Sequence, residues 1–213
     1  MKTDELVEIL SLEITPVDRT LLARTWSLAG LASGIAALTI ACLALGVRPD
    51  LFEPRALVFI SVKLVFTITV FSLALIYLTK LARPGGEQRL RFIMAASPFV
   101  AIIALAAVSL GLAPQAHWDA MIVGDEWLEC LLSIPIIAIV PFVISIWAVR
   151  QAAPTDLLRT GAFAGLVAGG VSAMAYSLHC TDDSLPFVAV WYGGTIAVCT
   201  LAGAALGPRL LRW

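Results

Sequence analysis

Six apolar runs, each long enough to cross a bilayer, dictate what this chain can fold into. They lie at 26–47, 56–79, 92–112, 127–149, 161–178 and 187–206. A membrane span needs roughly 20 apolar residues at about 1.5 Å of rise each. Only 14% of the 213 residues are charged and 60% are hydrophobic, whereas soluble domains carry about 25% charge. Too few polar side chains remain to cover six buried helices in water. The expected fold is therefore all-α: a polytopic membrane protein, a bundle of six transmembrane helices. No polar stretch exceeds the first two dozen residues, so residues 25–213 form one integral domain preceded by a short arm, 1–24.

The arm is no secretory signal. Lys2 is outnumbered by Asp4, Glu5, Glu8 and Glu13, whereas a signal couples a basic start to a short apolar run. Lysine and arginine in the short loops set the orientation. Eleven of the fourteen fall in the arm, loops two and four, and the C-terminal tail; Arg48 and Arg55 fall in loop one, and Lys63 inside the second run. Loops three (113–126) and five (179–186) have none. Both termini are thus expected to be cytoplasmic, with loops one, three and five facing outward.

Small residues recur every four positions at Gly161, Gly165 and Gly169, at Gly203 and Gly207, and at Gly30 and Gly34. This spacing lets helices pack closely in lipid, and packing within the chain is preferred to homodimerisation. Pro135 and Pro141 are expected to bend the fourth span.

The polar island YSLHCTDDSLPFVAVWY, 176–192, interrupts the last two apolar runs. It holds His179, Cys180, Asp182 and Asp183. The span map puts Cys130 at the same outer boundary. Three readings of this pair stay open: a structural disulfide, a reactive thiol pair, or a soft-metal site assisted by His179, His117, Asp182 or Asp183, since thiolate and imidazole suit soft ions. Cys42 and Cys199 read as apolar packing. No pair has CxxC spacing, which excludes a zinc ribbon or thioredoxin-like motif. Lys63 is a candidate because intramembrane cations are rarely idle; Glu129, beside Cys130, is its expected partner, unless Lys63 snorkels outward. The adjacent aspartates read as solvated loop charges.

The arm is the second candidate site. Leu6, Ile9 and Leu10, with Val7 and Ile14, form an apolar surface at helical spacing, and Asp4, Glu5 and Glu8 cover the rest. Thr3 is a plausible cap and Pro16 a stop. An acidic amphipathic helix suits a basic protein surface better than an anionic bilayer. That surface is either a partner or the chain's own loop at Lys80, Arg83, Arg89 and Arg91.

The chain resembles the NrsF family, negative regulators of sigma F. The resemblance runs from MKTDELVEIL at the start, through VRPDL, CLLSIP, the AP-T near Pro154 and LHCTDDSLPFVAVWY, to LGPRLLRW at the end. It implies a multi-pass bacterial inner-membrane anti-sigma factor that holds an extracytoplasmic-function sigma factor through its N-terminal segment. On that reading Asp4, Glu5, Leu6, Glu8, Ile9 and Leu10 bind the sigma factor. It also implies that Cys130 and Cys180 take part in sensing metal or oxidant stress from outside; His179 beside them, with Lys63, Glu129, Asp182 and Asp183 in support, is read from the residue pattern alone. No cofactor is required beyond a transient soft metal ion, and the partners are the sigma factor and the lipid bilayer, with no direct nucleic-acid contact. The glycine-rich fifth span and the proline-bent fourth are the expected moving parts. The chain is not expected to be an enzyme. A membrane thiol-disulfide redox protein and a small transporter are the alternatives, disfavoured by the missing CxxC and by Lys63 being the one clear intramembrane charge.

Overall fold

The computed structural model describes residues 19–83 and 93–212. The arm residues up to 18, including every candidate sigma-binding position, and the loop 84–92, including Arg89 and Arg91, lie outside the described residues. The described chain is helical throughout. Six helices are long and apolar enough to cross a membrane. They are α1 (Arg19–Ala44), α2 (Pro54–Leu81), α3 (Ile93–Leu112), α5 (Trp127–Arg150), α6 (Leu157–Tyr176) and α7 (Leu185–Leu210). A 3₁₀ turn at Gln115–His117 and the six-residue α4 (Trp118–Val123) occupy the third loop, which the sequence presented as a plain connector.

Local chemistry sets the helix starts. Pro54 opens α2, where its missing N–H costs nothing. Asp156 caps α6 by accepting from the Arg159 N–H at 2.9 Å. Ser184 caps α7 by accepting from the Phe187 N–H, with Pro186 in the first turn. One turn on, α7 widens into a π-helical turn at Val188–Tyr192. The Thr195 hydroxyl donates to the Trp191 and Tyr192 carbonyls that this turn displaces. Such turns are rare and cluster at functional sites. α5 runs unbroken through Pro135 and Pro141, as membrane helices tolerate.

α6 is the innermost span: 72% of it is buried across the membrane window, against 17% of α3. Its glycines explain how it gets there. A Cβ at Gly161 would collide with the Gly203 carbonyl and the Gly207 backbone, and one at Gly165 with the Cys199 carbonyl. The glycine stripes of α6 and α7 therefore meet each other, backbone on backbone, within one chain. Packing of this kind replaces the hydrophobic drive that lipid removes. It also locks α6 to α7, so the glycine-rich span is a fixed partner of its neighbour. Gly34, by contrast, has open space where a side chain would go.

Loops one, three and five meet at one end of the bundle, where Arg48 reaches Asp183 and Ser184 reaches the Met121 carbonyl. At the other end the Arg150 guanidinium donates to the Leu210 carbonyl.

Gly165→Leu should destabilise the chain in detergent micelles by at least about 1–3 kcal/mol, because backbone stands where the new side chain must go. Gly34→Leu should leave the melting temperature unchanged. Thermal unfolding of the two variants checks the contrast.

Candidate functional site

The island 179–184 forms a cap over the end of the bundle, and each of its residues is tied to another element. His179 Nε2 stands 3.5 Å from Glu129 Oε2. The Thr181 amide and hydroxyl both donate to Glu126. Asp182 returns the contact, accepting from the backbone N–H groups of Asp125 and Glu126 at the start of α5, where the helix dipole favours a carboxylate. Gly124, just before, has φ of 63° and no room for a Cβ, which would stand 2.7 Å from Asp182 Oδ2. Ser184 donates to the Met121 carbonyl, and the Trp191 indole to that of Ile122. Both aspartates are thus engaged, which corrects their reading as solvated loop charges.

Beneath the cap lie two buried cations. The Arg48 side chain is 1% exposed and that of Lys63 is not exposed at all. Arg48 has five N–H donors, and each finds an acceptor. Nε and Nη2 bind the two oxygens of Asp50 at 2.7 Å. Nη1 and Nη2 bind the two oxygens of Asp183 at 3.0 and 2.9 Å. The second Nη1 hydrogen goes to the Cys180 carbonyl at 3.0 Å. Lys63 has three donors and meets three acceptors: the Cys180 carbonyl at 3.0 Å, Asp183 Oδ1 at 3.3 Å and the Cys180 sulfur at 3.5 Å. Two cations face two carboxylates, so the cluster is neutral. Lys63 therefore pairs with Asp183 and the Cys180 residue, while the expected partner Glu129 binds His179. The hydrogen bonds to Asp50 and Asp183 push the Arg48 pKa up, and the same bond holds Asp50 below the usual carboxylate range.

Cys130 and Cys180 are fully buried free thiols in one core cluster with Tyr176 and Tyr192. Each tyrosine hydroxyl is buried without a hydrogen-bond partner among the described residues, although that of Tyr192 lies next to the Cys180 thiol. Burial pushes the Cys180 thiol up to about 11, against the pull of Lys63 and Tyr192. Cys199 packs midway along α7 against Gly165 and Gly169, and Cys42 is half-buried on α1. Among the described residues no three His, Cys, Asp or Glu side chains converge to hold a metal ion, which applies to Cys130, Cys180 and His179 as a set. His117 lies apart from the thiols' cap contacts, in a cleft of about 400 Å³ that it lines with Arg55, Met121, Asp183 and Ser184.

Arg48 and Asp50 were missed as site residues. The signal was present: VRPDL puts an arginine two residues before an aspartate in one of the two basic positions of loop one. Tyr192 was likewise visible only as part of a Trp-Tyr pair.

Comparison with known proteins gives a consistent picture. The sequence model of the family described as negative regulator of sigma F, NrsF, matches residues 10–213. A relative in Azospira oryzae, named probable anti-sigma-F factor NrsF, is 31% identical over 214 residues, covering all of both chains. Another in Caulobacter vibrioides, named anti-sigma-F factor NrsF, is 29% identical, again over the whole of both chains. No solved structure matches this chain.

Arg48→Met should destabilise the fold by about 3–5 kcal/mol, because it leaves Asp50 and Asp183 facing Lys63 alone. His179→Gln, at a partly exposed pair, should cost less than about 1 kcal/mol. Chemical denaturation in micelles checks both. Cys180 is held neutral by the fold, its pKa raised above the ordinary 9.0. Its contribution to stability is therefore complete below pH 9 and lost as pH rises toward 11. Alkylation of Cys180 followed against pH should show a midpoint near 11; a midpoint at the ordinary value would contradict the buried geometry.

Proposed function

The chain belongs to the family of negative regulators of sigma F, and on that footing we propose that it is a membrane-bound anti-sigma factor whose thiols Cys130 and Cys180 receive an oxidant signal. The acidic arm holds an extracytoplasmic-function sigma factor at the inner membrane, through Asp4, Glu5, Leu6, Glu8, Ile9 and Leu10. Both termini are cytoplasmic, and the end formed by loops one, three and five faces outward. A sigma factor must present basic surface to DNA, and an acidic amphipathic helix complements such a surface.

One observation carries the input half. The cap over the bundle end is anchored on Cys180, whose carbonyl and sulfur are both held by the buried Lys63 of α2. Chemistry at that sulfur must therefore disturb a transmembrane helix. Two neighbouring thiols without a third ligand suit two-electron oxidation better than metal binding. With a peroxide the step balances as two thiols and one peroxide giving one disulfide and two waters: the sulfurs lose two electrons and two protons, and the O–O bond breaks. Asp183, which shares Lys63 with the sulfur, also lines the cleft that holds His117. Drawing the sulfur toward Cys130 strips Lys63 of one acceptor in a dry site, where an unsatisfied polar group costs about 1–3 kcal/mol. That is the size of a typical coupling energy between sites, about 5–150-fold in affinity.

Deleting residues 2–15 should derepress sigma-dependent transcription without any oxidant. Cys130→Ser and Cys180→Ser should keep repression but abolish its release by peroxide. A transcriptional reporter reads both. Persistent repression after the deletion would remove the arm as the inhibitory element.

A further inference from the structure

The thiol chemistry just proposed leaves open what makes a deeply buried sulfur reactive at all. Cys180 is surrounded by groups of opposing effect. Glu126 at the start of α5 and burial itself disfavour a thiolate, while Lys63 of α2 and Tyr192 of α7 favour one. Cys130 and Tyr176 lie within electrostatic reach as neutral groups. Among the described residues Lys63 is the cation that touches the sulfur, at 3.5 Å. The same ammonium touches Asp183 Oδ1 at 3.3 Å. Asp183 is also bound by Arg48 through both oxygens, so it keeps a counter-charge without Lys63. The Tyr192 hydroxyl, buried beside the sulfur, favours a thiolate there by hydrogen bonding.

We propose that Lys63 is the positioning residue that sets Cys180 reactivity, and that Asp183 restrains it by competing with the sulfur for the ammonium. In the resting state the lysine is shared, and the cluster Arg48, Lys63, Asp50, Asp183 is neutral. When the Cys180 proton leaves, the ammonium shifts its share from the carboxylate to the sulfur, and Arg48 alone retains Asp183. Tyr192 is the last residue of the π-helical turn Val188–Tyr192. The inference rests on Cys180 being the modified group, but its readout does not depend on the sigma factor.

The test is the rate at which neutral iodoacetamide labels Cys180 in the full chain in mild detergent, resolved from the other cysteines by peptide mass spectrometry. Lys63→Gln should slow labelling about tenfold, the effect of one pKa unit. Asp183→Asn should accelerate it by several-fold. The opposite signs matter, since simple loosening of the fold would accelerate both. Labelling of Cys199, packed against the glycines of α6, serves as the loosening control and should stay constant. Should either single variant fail to fold, the charge-balanced double variant K63M/D183N carries the test. It should label as slowly as Lys63→Gln, because the influence of Asp183 runs through Lys63. Faster labelling in Lys63→Gln, unchanged labelling in Asp183→Asn, or wild-type labelling in the double variant would overturn the proposal. Sigma retention on peroxide treatment is measured separately. If retention ignores Cys180 while labelling follows the predicted signs, the oxidant-input reading fails and the role of Lys63 stands.

Discussion

Two buried cations held by two carboxylates are what the end of this bundle formed by loops one, three and five depends on. Arg48 and Lys63 would each be costly in an apolar interior. The structure makes them tolerable by using every donor they have: five from the guanidinium and three from the ammonium, shared among Asp50, Asp183 and the Cys180 residue. The geometry explains why an arginine stands at 48. A lysine there could offer three donors and no planar fork. It also fixes the path of the island, because Cys180 and Asp183 must present a carbonyl, a sulfur and a carboxylate to the same two side chains. Loop one, α2 and the α6–α7 connection are thereby joined at a single electrostatic knot.

Around that knot the helices divide into firm and loose parts. α6 and α7 are pressed together backbone to backbone by Gly161, Gly165, Gly203 and Gly207, so they move as one. α3 sits at the periphery, mostly exposed to what would be lipid. α2 is different again: it carries Lys63 near its first end and finishes at Leu81, at the opposite end of the bundle. Lys63 ties that first end of α2 to the carbonyl and the sulfur of Cys180.

The spans were legible in the sequence because bilayer thickness fixes their length, and the apolar runs fall within a few residues of the helices. The clustering of loops one, three and five at one end followed from an even count of spans and the distribution of Arg and Lys. That His179, Cys180 and Lys63 would have polar partners was also visible, since polar residues inside apolar runs need one. The pairing was not. Arg48 and Asp183 are separated by 135 residues, and no local period links them. Lys63 and Glu129 looked complementary on a span diagram, but rotation about each helix axis decides which side chains meet, and α2 aims Lys63 at the island. The short α4 and the π-helical turn escaped notice for a similar reason: both are set by contacts across elements, through Trp191 to Ile122 and Ser184 to Met121. The family resemblance supplied the regulatory reading that no residue pattern could.

The central claim is that thiol chemistry at one end of the bundle loosens a sigma factor held at the other. Reconstituted vesicles test it most directly. The full chain is inserted in one orientation, a sigma factor is bound at the arm side, and a membrane-impermeant oxidant is added only to the opposite side. The account predicts that the sigma factor is released from vesicles bearing the native chain and retained on those bearing Cys130→Ser with Cys180→Ser. Equal retention on both, with Cys180 shown to be oxidised, would contradict it.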